Sequence, residues 1–166
     1  MAADEGPEVI LDGLQFANGV TLAADGRFVA VPESGGHRVR RVYLTGARAG
    51  QFDVLADDLP GFPDNLSTGP DGLIWVALAA ARDPLLDLLH RSNPLVRRAL
   101  WRLPQRLRPD PRPTAWAVAL DGEGRTVHDL QRGDLHYRMV TSACVSGGRL
   151  YLGSLVEDAL LEIESP

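Results

Sequence analysis

Two Asp-Gly dipeptides, Asp25-Gly26 and Asp71-Gly72, lie 46 residues apart and are framed alike. Seven residues ahead of each stands an oxygen-bearing side chain, Asn18 in the first unit and Asp64 in the second. A short apolar run follows each, over residues 27–31 and 73–77. Asp-Gly marks a tight hairpin connection, because Gly takes a positive φ at no steric cost and Asp caps the turn with its own carboxylate. A repeat of roughly 40–50 residues made of short strands predicts propeller blades, each a four-stranded sheet. The first unit divides accordingly, with strands at 20–22, 28–31, 38–44 and 51–55. A third unit, more ragged, starts near Thr141, with strands at 140–144, 149–153 and 160–164 around a Gly147-Gly148 turn.

That third turn follows the second by 76 residues, an excess of 30 over the repeat. An insertion over residues 82–113 absorbs it and reads as helical. Pro84 and Pro94 stand at first helical positions, and Ser92-Asn93 offers a cap. Leu95, Val96, Ala99, Leu100 and Leu103 share a face, opposite Arg97, Arg98, Arg102 and Arg106. A lid over the propeller edge is favoured over contact with a membrane surface, since Trp101 is the one aromatic available to anchor it. Residues 8–11 read as the outer strand of a blade whose other strands would precede the chain. The expected fold class is therefore all-β: a partial six-bladed propeller of about three blades with a helical insertion, roughly half of a closed ring. Open sheet edges invite pairing, so a homodimer or a partner chain completing the ring is expected.

Composition narrows the functional classes. A net charge of −5 argues against nucleic-acid binding, which needs a basic surface. A single cysteine, Cys144, excludes an internal disulfide. The acidic start lacks the features of a signal peptide, and no apolar run approaches a membrane span, so a soluble cytoplasmic protein is expected.

The chemistry would sit at the repeated position, where inner strands begin beside a central channel. Phe16-Ala17-Asn18-Gly19 comes from the first unit, Pro63-Asp64-Asn65 from the second and Thr141-Ser142 from the third. Amide and carboxylate oxygens converging there would suit a hard cation such as calcium. Read without further context, the same residues are ordinary turn formers. Among other candidates, His136 before Thr141 could act as a base, against a surface-loop reading shared with His37, His90 and His128. Glu33 is expected to pair with Arg38 or Arg41, and Pro32 beside it to fray its strand. Cys144 is expected to be a buried small residue.

Residues 16–20, 25–27 and 31–34, with the run at 38–43, resemble a blade of the strictosidine-synthase-like proteins of the adipocyte plasma-membrane-associated type. Residues 59–65, 71–77, 84–89 and 150–154 continue the pattern in order, so the resemblance covers nearly the whole chain as the C-terminal half of such a protein. It implies membership of the gluconolactonase (SMP-30) and paraoxonase superfamily of six-bladed propellers. It also implies that Asn18, Asp64 and Asn65 are ligands of a catalytic calcium, the remaining ligands and a histidine pair coming from earlier blades. The implied activity is calcium-dependent hydrolysis of a small-molecule lactone or ester, incomplete in this chain alone. The alternative is a non-catalytic propeller fragment or binding module that pairs with another chain. Strictosidine synthesis itself is excluded, because Thr141 stands where that enzyme carries its glutamate, and Thr is no general acid or base at neutral pH.

Overall fold

The computed structural model describes residues 6–82, 114–133 and 136–166. The helices expected between 84 and 103 lie outside the described residues, as does His90. In chain order the intervening stretch connects the second and third strands of the second sheet.

Among the described residues, eleven strands form three antiparallel sheets in which sequence neighbours pair. The first holds β1 (Thr21–Leu22), β2 (Phe28–Glu33), β3 (Arg38–Tyr43) and β4 (Phe52–Ala56). The second holds β5 (Gly61–Thr68), β6 (Ile74–Ala81), β7 (Ala115–Leu120) and β8 (Thr126–Arg132). The third has β9 (Val140–Ser146), β10 (Arg149–Ser154) and β11 (Leu161–Glu164). The leading strands of successive sheets touch, β1 against β5 and β5 against β9, which is the arrangement of neighbouring propeller blades. Among the described residues, no helix is long and apolar enough to cross a membrane.

The repeated turns share the same aspartate bond and the same glycine. Asp25 Oδ1 accepts from the Arg27 N–H at 2.9 Å and Asp71 Oδ1 from the Leu73 N–H at 3.1 Å. Gly26 and Gly72 supply the positive φ values, 70° and 83°. Beyond the turn the repeat slips. Leu22 pairs with Val29, whereas Thr68, 46 residues after Leu22, pairs with Ile74, only 45 after Val29. The first turn thus holds one residue more, and a one-residue slip decides which side chains face which way.

The core lies between sheets in two layers. Phe28, Ala30 and Val39 of the first sheet pack on Leu66, Ile74, Val76, Leu78, Val118 and Leu120 of the second. On the opposite face, Ala115, Ala117 and Ala119 of β7 leave room for Trp75, which is fully buried beside Val140, Ala143, Leu150 and Leu152 of the third sheet. Such interdigitation of large and small residues gives interiors their crystal-like density.

Three expectations are corrected, and a fourth, the partner of Glu33, is met and extended. Glu8 to Leu11 form no strand among the described residues. β2 does not fray at Pro32: pairing continues through Pro32–Val39 to Glu33–Arg38, with a proline lacking an N–H tolerated at the strand's end. Glu33 does pair with Arg38, at 2.5 Å, but its second cation is Arg40 at 3.7 Å, while Arg41 binds Asp53 at 2.7 Å on the other face of β3. Cys144 is exposed, because it pairs with Tyr151 on the face of the third sheet turned away from the second.

Candidate functional site

The segment before β1 prolongs that strand along the end of β2. Ser34 N–H donates to Phe16 O, Gly35 N–H to Gln15 O and Asn18 N–H to Pro32 O, and Ala17 bridges Glu33. Backbone pairing therefore fixes Asn18 at the mouth of the first sheet. Phe16 is held at φ 58° within this segment, a region that costs a bulky residue on the order of 1–3 kcal/mol. Asp64 and Asn65 lie on β5, where the pairing with β6 shifts between Pro63 and Leu66 and turns them out of the regular ladder.

The structure brings the three expected ligands to adjoining inner strands. Asn65 Nδ2 donates to Asp64 Oδ1 at 3.0 Å and to the Thr141 carbonyl at 2.8 Å, tying β5 to β9. On the other side, a Cβ built on Gly19 would lie 2.8 Å from Asn65 Oδ1, so the Asn18-Gly19 backbone abuts Asn65. Asn18 Nδ2 donates to Ser34 Oγ at 2.7 Å, and that hydroxyl donates to the Pro63 carbonyl at 2.5 Å. Both asparagines commit their amide nitrogens in these bonds. Their oxygens, the atoms able to bind a cation, are the ends these bonds leave unused.

Asn18, Ser34 and Asp64 line a cavity of about 350 Å³ between the first two sheets, with Phe16, Gly35, Phe62 and Ala79. That volume is in the range of small-molecule sites, roughly 300–1,000 Å³. Burial pushes the Asp64 carboxyl above the usual carboxylate range, partly offset by the Asn65 backbone N–H. Among the described residues no ion pair offsets the cost of its charge. One desolvated carboxylate with two amide oxygens is hard-donor chemistry that fits calcium in kind. In number it falls short of the six to eight oxygens, about, that calcium takes. Among the described residues no group of three or more His, Cys, Asp or Glu side chains is placed to hold a metal, so a harder or softer alternative site is not offered there.

The remaining candidates lie elsewhere. His136 is exposed and does not line the cavity. His37 is no surface histidine: its Nδ1 lies 3.1 Å from the Gly61 carbonyl and its ring 4.6 Å from that of Phe62. His128 stacks on Trp75 at 5.9 Å. Thr141 takes part through its backbone carbonyl and not through its hydroxyl. Sequence reasoning did not single out Ser34 or Phe62 for the site, and it brought in Phe16 and Gly19 only as neighbours of Asn18, with no role of their own. For the two phenylalanines a signal existed, since they stand 46 residues apart in the same repeat that relates Asn18 to Asp64.

Comparison with known proteins places this geometry in context. No family model matches the chain. It is 36% identical over 156 residues to the adipocyte plasma membrane-associated protein of Rattus norvegicus, covering 89% of this chain and 41% of the rat protein. It is 38% identical over 96 residues to the protein strictosidine synthase-like 13 of Arabidopsis thaliana, covering 58% of this chain and 23% of the plant protein. The chain thus spans well under half of the curated relatives it matches. Among solved structures, the gluconolactonase XC5397 of Xanthomonas campestris superposes with a TM-score of 0.57 at 12% identity, over 94% of this chain and 40% of that one. At that identity the likeness is one of fold.

Proposed function

We propose that this chain, which belongs with the strictosidine-synthase-like and adipocyte plasma-membrane-associated proteins, supplies one wall of a calcium-dependent site for hydrolysing lactones or esters. The observation that carries this reading is that Asn18 and Asp64 line one cavity, with Asn65 bonded to Asp64 beside it and to the next inner strand. Asp64 strengthens it. A carboxylate taken partly out of water without a cationic partner is costly, and a bound cation reverses that cost. Asn18 and Asn65 would add neutral oxygens, held in place by Ser34 on one side and the Thr141 carbonyl on the other. Calcium bound there would polarise a substrate carbonyl and stabilise the oxyanion that forms as water attacks. Phe16, Phe62 and Ala79 would hold the apolar part of the substrate and exclude bulk water.

The test has two arms. Calorimetric titration of the chain with calcium should show binding that Asp64→Ala removes. Lactone and aryl-ester hydrolysis should require calcium and fall to background in the same variant. A well-folded chain that takes up no calcium overturns the reading.

A second reading, a module that pairs with another chain, is favoured by one surface. On the first sheet the face turned away from the second presents Leu22, Val29, Val31, Phe52 and Val54, with Leu22 and Phe52 about half exposed. The two readings are compatible, since a partner there would also supply missing oxygens.

A further inference from the structure

Ser34 touches both sheets at the site, and it is nearly fully buried. A serine hydroxyl has a single proton to donate. Here that proton is directed at the Pro63 carbonyl, 2.5 Å away, in the peptide bond that carries Asp64. Toward Asn18 the hydroxyl can then only accept. The Asn18 amide must therefore present its nitrogen to Ser34, as it does at 2.7 Å, and turn its oxygen the other way. An asparagine without such a partner has two amide orientations, differing by a half-turn, that fit the same space. Only one of them offers an oxygen where the other offers an N–H, which repels a cation.

We infer that Ser34 is a positioning residue: it sets which end of the Asn18 amide faces the cation and couples that choice to the backbone at Asp64. The role rests on the calcium reading for its ligand, but its geometry stands without any metal. Partners that orient metal-binding side chains in this way typically control affinity by about 10–100-fold.

The experiment is a double-mutant cycle read by calcium titration. Ser34→Ala should weaken calcium binding by about 10-fold or more, and Ser34→Thr, which keeps the hydroxyl, should restore most of it. In an Asn18→Asp background both ends of side chain 18 are oxygen, so orientation no longer matters. There Ser34→Ala should change affinity by less than about 3-fold, giving a clear coupling between the two positions. Equal losses in both backgrounds overturn the orienting role and leave Ser34 a structural residue. A second measurement needs neither calcium nor a variant that folds: hydrogen exchange of the Asn18 side-chain amide in the wild-type chain. Protection of that NH₂ group relative to an exposed asparagine supports the role, and free exchange overturns it. If the wild-type chain binds no calcium, the calcium reading fails, and amide exchange alone decides whether Ser34 fixes Asn18.

Discussion

At Gly19 a single missing carbon sets the spacing of the site. A Cβ there would lie 2.8 Å from Asn65 Oδ1 and 3.0 Å from Asn65 Cα, and a backbone atom cannot swing aside. Gly19→Ala should therefore push β5 away and strain the bond from Asn65 to Thr141. The expected cost is about 1–3 kcal/mol, as for overpacking elsewhere, read as a lower urea midpoint at unchanged slope. Glu33 makes a second test. Burial of its carboxyl works against ionisation but is outweighed by the hydrogen bonds from Arg38 and the Gln15 N–H and by the charges of Arg38 and Arg40, so its pKa is lowered. A lowered folded-state value means stability that is fully present above the unfolded value near 4.5 and lost as pH falls through the folded one. Glu33→Gln should cost about 3 kcal/mol at neutral pH, the penalty of breaking a buried pair, with the difference from wild type shrinking in acid. Chemical denaturation of both proteins at several pH values checks the size and the sign. Residues of this kind divide by how much context they need. Asn18 and Asp64 were legible because a repeat marks them, whereas Ser34 and Gly19 act through neighbours remote in sequence, which no local pattern displays. Cys144 was misread for a related reason: alternation shows that it differs from Ala143, not which of the two faces is covered.

The strands themselves were the most legible elements, since Asp-Gly turns and short β-branched runs combine local propensity with a repeat. What the pattern could not reveal was the extra residue in the first turn, because Asp25-Gly26 and Asp71-Gly72 look identical and the slip appears only in the pairing of Leu22 with Val29. β7 and β8 were also missed. Their sequences are, respectively, apolar throughout and largely polar, so neither shows the alternation that marks a half-buried strand. The turns give a prediction at this scale. A Cβ on Gly26 would meet nothing within 4 Å, and one on Gly72 only the Ala24 Cβ at 3.7 Å, so space is open at both. Both glycines nevertheless sit at positive φ. Gly26→Ala and Gly72→Ala should each cost about 1–2 kcal/mol from backbone conformation alone. Replacement by Asn, which tolerates that conformation, should recover much of the loss. If Asn is no better than Ala in thermal unfolding, the penalty is not one of backbone conformation.

Across the whole molecule the two outward faces differ in kind. The first sheet turns Leu22, Val29 and Phe52 outward in one cross-strand row, with Val42 buried among them, and Val31 and Val54 in the next, with Arg40 between them stacked over Phe52 at 5.1 Å. The third sheet turns out Ser146, Arg149 and Glu164 in one row and Cys144, Tyr151 and Glu162 in another. A ring closed head to tail by two copies would press the apolar face of one against the polar face of the other, leaving Arg149, Glu162 and Glu164 to be desolvated against hydrocarbon. Two copies meeting through their first sheets bury apolar surface on both sides, and the one charged side chain in those rows, Arg40, already lies 3.7 Å from Glu33; this is the isologous arrangement that two-fold symmetry favours. Self-association of this chain should accordingly run through the first sheet. Light scattering after size-exclusion chromatography should show a concentration-dependent dimer that Leu22→Glu with Val54→Lys disperses, while Arg149→Ser with Glu162→Ser leaves it intact. The reverse pattern, dispersal from the third sheet, would mean that the ring-closing contact forms despite its mismatch. A wild-type chain that stays monomeric at all concentrations would leave the first-sheet face to a different partner, one that brings an apolar sheet of its own.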